Sequence, residues 1–208
     1  MIRLAGLFPE NLNLNGDFGN LEVLSRQFEW RGMACEVVDA TTVDDLDDSI
    51  NFVLIGHGSV AAWAAISQAF SSLTPRLSQM MANGVPLLAI STGFDMAISS
   101  GLIPTLEVSD LADRVSKFEI VKVNELEVLG YVNTNRSLPA LYVDGAFIGS
   151  TLHGPLLAKN PELLEGVLAK IAESSGTPLA PIQSKEKDSI LAALVSEVWK
   201  LESELANE

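Results

Sequence analysis

LLAISTGFDMAISS, residues 87–100, contains the turn from which the fold can be read. The apolar run after Pro86 reads as a short buried strand, and Ser91-Thr92-Gly93 then turns sharply into a helix beginning near Phe94. A strand that ends at a nucleophile-type residue, with glycine two positions on, is the layout of a nucleophile elbow. Such a turn lifts the central side chain out at the carboxyl end of a sheet, and the following helix aims its amide N–H groups at what reacts there. The same pattern also fits an ordinary strand-to-helix turn, because Ser and Thr are common helix caps. A distant stretch, Ser150-Thr151-Leu152-His153-Gly154-Pro155, supplies a histidine and favours the functional reading.

Upstream, Ile2–Leu7 reads as a strand, followed by an Asn-rich turn at 11–20 and a helix with apolar positions Leu21, Leu24, Phe28 and Met33 near helical spacing, closed by Gly32 as its C-cap. Residues 34–38 form a second strand with Cys35 as a small buried side chain, and the acidic run at 44–48 reads as a solvated loop or helix start without a metal. A third strand, Phe52–Ile55, ends at Gly56-His57-Gly58-Ser59, where glycines let backbone amides approach a ligand. Helical patterns follow at 61–71 and 75–82. Strands and helices alternating in this way give an α/β fold with a mostly parallel sheet and helices on both faces.

Beyond the elbow helix the segments 120–123, 129–132, 141–143 and 147–149 are short and β-rich, with a hairpin turn at Asp144-Gly145, and read as an antiparallel or mixed extension of the sheet. Asn160 as N-cap and Pro161 at the first position open a helix to about residue 172. The expected organisation is one domain over 1–173, a linker at 174–188 and an amphipathic C-terminal helix at 189–208. That helix carries a stripe of Ile190, Leu194, Val198, Leu201 and Leu205, which serves either its own domain or a partner.

The chain has 208 residues, 48% of them apolar and 19% charged, enough to bury a full core. A formal charge of −14 argues against nucleic acid and anionic membranes as direct partners. One cysteine excludes an internal disulfide framework, and no apolar run reaches the roughly 18 residues of a membrane span. The expected setting is cytoplasmic.

Three stretches together resemble a known family: NLNLNGDFGNLEVLSRQFEWRG at 11–32, TLHGPLLAKNPE at 151–162, and, in matching order, the strand-loop at 52–59 with the elbow at 90–93. They are similar to the CobB/CobQ-like class I glutamine amidotransferases, and within these to the glutaminase subunits of lipid II isoglutaminyl synthase. The resemblance spans roughly residues 1–173 and implies a flavodoxin-like amidotransferase fold. It also implies a thiolate at the elbow that attacks the glutamine side-chain amide, with a histidine as base and backbone amides holding the oxyanion. The ammonia released would pass to a MurT-like Mur ligase partner, which amidates the lipid II stem peptide. Carried over position by position, Ser91 and His153 take the catalytic places. Arg114, His57, Gly58, Thr92, Asn133 and Arg136 take the places that line the substrate. No cofactor and no metal are expected.

The sequence departs from that family at its centre. Ser91 stands where the family has Cys, Thr92 where Gly is usual, Asp95 where Gln is usual, and His57 interrupts a Gly-rich run. A serine hydroxyl is a much weaker nucleophile than a thiol unless a triad activates it. Three explanations stand at this point: a serine introduced to trap a complex, a working serine amidase or peptidase using Ser91 and His153, and a non-hydrolysing regulatory or binding subunit. If the elbow survives, the Ser91 hydroxyl and the His153 ring are expected to face each other across the carboxyl end of the sheet, within direct or one-water reach.

Overall fold

The computed structural model describes residues 1–104, 106–123, 125–183 and 185–206. A six-stranded sheet forms its centre, built from β1 (Ile2–Leu7), β2 (Cys35–Ala40), β3 (Phe52–Ile55), β4 (Leu87–Ile90), β7 (Leu141–Asp144) and β8 (Phe147–Ser150) in the order β2-β1-β3-β4-β8-β7. All neighbours are parallel except β7, which returns antiparallel to β8. The inner strands read as unbroken apolar runs because both faces are covered. In β3, Phe52 and Leu54 enter one core layer while Val53 and Ile55 enter the other; in β4, Leu88 and Ile90 part from Leu87 and Ala89 in the same way.

The layer holding Val53 and Ile55 is covered by α2 (Val60–Ala82) and α3 (Thr92–Ser99). Two separate helical patterns had been expected where α2 runs through Pro75 without a break. Trp63, Ile66, Phe70, Leu73, Leu77 and Met80 bury one continuous stripe, which offsets the roughly 3 kcal/mol that an interior proline costs. The opposite layer is covered by α1 (Gly19–Trp30), α4 (Leu156–Lys159) and α5 (Pro161–Ser174).

The β-rich second half departs from the expected simple extension. Only the β7–β8 hairpin joins the main sheet, and its two turn residues are Gly145, at φ 56°, and Ala146, because Asp144 pairs with Phe147. The other segments form a separate antiparallel sheet of β5 (Asp110–Val123), β6 (Leu126–Arg136) and β9 (Leu152–His153). Asn160 sits at the N-cap position of α5, as expected, but its side chain makes no capping hydrogen bond there. Its buried carboxamide accepts from Leu129 N–H at 2.8 Å and donates to Leu129 C=O at 2.9 Å and Leu156 C=O at 2.8 Å, pinning the helix pair to β6.

The acidic run is largely solvent-exposed and opens a short helical turn at Val43–Asp45, as expected, with partners that fix its course. Asp45 accepts from Thr41 and Thr42 N–H groups, and Asp47 and Asp48 pair with Arg3 and Arg76 at 2.9 and 2.8 Å. Cys35, on the edge strand β2, is half-buried rather than fully so. The terminal helix α6 (Lys185–Ala206) lies against the body through Leu191, Val195 and Trp199, whose indole N–H donates to Lys159 C=O. Ile190, Leu194, Leu201 and Leu205 of the expected stripe point outward, at 48–61% exposure. No helix among the described residues is long and apolar enough to cross a membrane.

Candidate active site

Ser91 ends β4 with φ 51° and ψ −111°, a conformation that a non-glycine residue holds only when its surroundings impose it. Its N–H donates to Ser150 C=O at 2.6 Å, and its carbonyl accepts from Phe94 and Asp95 to start α3, which opens at Thr92. Gly93 is required, since a Cβ there would lie 2.6 Å from Gly56 O and 2.7 Å from Ile55 O. The side chain is thereby set over the carboxyl ends of β3 and β4, where open α/β sheets place their sites.

Pairing of Tyr131 with His153 in the second sheet brings the histidine to the same end. Its Nε2 lies 3.3 Å from Ser91 Oγ and 3.1 Å from Asn133 C=O, and its Nδ1 contacts the Asn15 carboxamide nitrogen. The His57 ring packs edge-on against His153, with centroids 4.8 Å apart. Burial, then the charges of His153 and Arg114, push His57 down to about 4; burial is also the main cause lowering His153, with Arg114 adding to it against the Asn133 hydrogen bond. Burial thus disfavours the charged form of both rings.

Thr92 is the hub of the elbow. Its hydroxyl oxygen accepts from Gly58 N–H at 3.0 Å and Trp63 Nε1–H at 2.8 Å, and lies 3.0 Å from both Gly58 C=O and His57 Nδ1. The Thr92 N–H points at His57 Nδ1 across 3.5 Å. An elbow of this type takes its oxyanion donors from the residue after the nucleophile and from the loop after the neighbouring strand. Here those groups are Thr92 N–H and Gly58 N–H, and both face side-chain acceptors of the protein itself.

A cavity of about 360 Å³ opens beside Ser91, lined among others by His57, Gly58, Thr92, Arg114, Asn133 and Arg136. All eight residues singled out from the sequence therefore gather at one end of the sheet. They differ in availability. Arg114 donates to Asn133 Oδ1, whereas Arg136 is held by Asp95 at 3.0 Å and Asp110 at 2.7 Å. Asn15, Asp17 and Trp63 were not anticipated. The loop 9–18 that carries the first two crosses the end of β3, with Leu12 O where a Gly56 Cβ would be and Asn11 O 2.9 Å from a Gly58 Cβ, so these two glycines were sequence traces of that crossing.

Asp17 is fully buried; its Oδ2 accepts from His57 N–H at 3.0 Å while its Oδ1 has no partner. Burial raises it to about 6 against the lowering effect of backbone N–H groups. Between about pH 4 and pH 6 the folded chain keeps a proton that the unfolded chain has lost, so stability falls as pH rises through that window. Asp17→Asn is expected to match the wild type near pH 4 and to exceed it above pH 6 by an amount of order 2 kcal/mol. Thermal melts of both proteins across that range check this; a Tm difference independent of pH would contradict it.

No family model matches the chain. It is 22% identical over 220 aligned positions to the GatD subunit of the glutamine-hydrolysing lipid II isoglutaminyl synthase of Staphylococcus aureus (strain N315), covering 89% of this chain and 90% of that protein. Among solved structures, PurLQS from Thermotoga maritima superposes with a TM-score of 0.51 at 15% identity, covering 84% of this chain and 97% of that one. The chain is thus a homologue of GatD, built on the class I glutamine amidotransferase fold.

Proposed function

We propose that this chain is a GatD-type subunit acting beside peptidoglycan-precursor amidation in the cytoplasm, bound to a MurT-like Mur ligase, and silent as a glutaminase. The observation that carries this reading is the occupied pair of oxyanion donors. Thr92 Oγ1 accepts from Gly58 N–H, and His57 Nδ1 faces Thr92 N–H. A tetrahedral oxyanion must displace both contacts before it is stabilised, and removing one such donor from an enzyme costs roughly two to three orders of magnitude in rate. Serine in place of the expected thiol adds to that deficit. His57 also fills space beside Ser91 that a glutamine amide would need, so L-glutamine binding is weak. The test is ammonia release from glutamine by the chain alone and with a MurT-like Mur ligase added. Both are expected at background, with no calorimetric heat from millimolar glutamine; turnover in either would overturn the reading.

A serine-dependent amidase or peptidase is the second reading, favoured by the strained φ at Ser91 and its 3.3 Å approach to His153. A fluorophosphonate separates the two. Attack by Ser91 Oγ would form an O–P bond, expel fluoride and pass the hydroxyl proton to the histidine. No adduct is expected; stoichiometric labelling of Ser91 would favour the amidase.

A further inference from the structure

We propose that Asn15 is a positioning residue that locks His153 in the tautomer protonated at Nε2, and so withholds a proton acceptor from Ser91. The inference rests on treating Ser91 and His153 as the nucleophile and base positions of the site.

The ring nitrogens have different neighbours. Nε2 lies 3.1 Å from the Asn133 carbonyl, a group with lone pairs only, so the ring must present an N–H there. A neutral imidazole carries a single ring proton, which leaves Nδ1 bare. The Asn15 carboxamide presents its NH2 to that lone pair and is the one hydrogen-bond partner of Nδ1 among the described residues. Turning the Asn15 oxygen inward would call for an Nδ1–H and would set the Nε2 lone pair against the Asn133 oxygen. The two contacts therefore select the same state from opposite sides of the ring.

In that state Ser91 Oγ, 3.3 Å from Nε2, faces an N–H and can only accept from it. A serine nucleophile needs the reverse: a bare Nε2 to take its proton, with an Nδ1–H held by a carboxylate. Where a triad has its acid, this chain has an amide, whose NH2 imposes the opposite polarity.

The experiment reads the tautomer directly, by long-range 1H–15N correlation on protein labelled at histidine. The chain has two histidines, and a His57→Gln spectrum assigns the pair. The native protein is expected to show a protonated Nε2 and an acceptor-type Nδ1 at His153. In Asn15→Asp the new carboxylate accepts from Nδ1–H, and protonation is expected to move to Nδ1. Asn15 is exposed, so the substitution leaves the core untouched. A native Nδ1–H tautomer would overturn the proposal. So would an unmoved Nε2–H in folded Asn15→Asp, since the Asn133 carbonyl would then suffice alone. The spectrum needs no turnover, so ammonia release by the native chain would sink the silent-subunit reading while leaving the tautomer assignment to be decided separately.

Discussion

Ser91→Cys alone is expected to leave glutamine-dependent ammonia release at background. A thiol restores intrinsic nucleophilicity, and a simple view of the site expects recovery. The surroundings still oppose it. Gly58 N–H remains bound to Thr92 Oγ1, and Thr92 N–H still faces His57 Nδ1. Each oxyanion donor is worth roughly two to three orders of magnitude in rate, and a histidine held in the wrong tautomer costs a serine protease roughly four. Ser91→Cys combined with His57→Gly and Thr92→Gly frees both donors, and is expected to exceed the single variant by about a hundredfold or more. The triple variant also strips Trp63 Nε1 of its 2.8 Å acceptor, which costs about 1–3 kcal/mol of stability, so both proteins should be assayed well below their Tm. The measurement is steady-state ammonia release with the cognate ligase present. Robust turnover by Ser91→Cys alone would mean that the donors yield freely to substrate and that only the nucleophile was lost.

Asn160→Ala is expected to be the most damaging single change away from the site. The β6 strand has eleven residues, and β9 pairs with only Tyr131 and Val132 of them. At Leu129 the Asn160 carboxamide takes the place of a neighbouring strand, satisfying both the N–H and the C=O, and it holds Leu156 C=O besides. Alanine leaves these three main-chain groups without their partner at a position that is 1% exposed. Each buried unsatisfied group costs about 1–3 kcal/mol, but relaxation and water entry share the loss, so a total of about 3 kcal/mol is expected. For a chain of this size that lowers Tm by about 6–12 °C. A drop under about 2 °C would show that α5 holds to the second sheet without the amide.

The parallel half of the sheet was legible in the sequence because both faces of β3 and β4 are buried, and burial writes itself as unbroken apolar runs bounded by Gly and Pro. The elbow and the LHGP stretch marked the two ends of the site as motifs, and the glycine at 93 is dictated by the Ile55 and Gly56 carbonyls that approach it from the neighbouring strand. The long β5–β6 hairpin was only half visible. Much of β5 is exposed and carries pairs such as Lys117–Glu119 and, across the turn, Lys122–Glu127, so its apolar signal is thin and Arg114 seemed to precede a strand that in fact contains it. The stripe on α6 left its direction open, because hydrophobic spacing gives a face without saying which way it points. Asn160 had the sequence context of a cap, and only the fold reveals that its amide reaches β6. Asn15 was beyond local reasoning altogether: it meets a histidine 138 positions away.

A chain selected for stability alone gains by placing glycine where φ is 51°, since such strain costs a side-chain-bearing residue on the order of 1–3 kcal/mol. This chain keeps serine there, with Gly93 still pressed against the carbonyls of residues 55 and 56. On the proposed reading, what separates its pocket from a hydrolytic one is a handful of side chains at 15, 57, 91 and 92. The scaffold that aims a nucleophile is thus kept in the main chain, and the chemistry it would serve is set by the side chains placed on it.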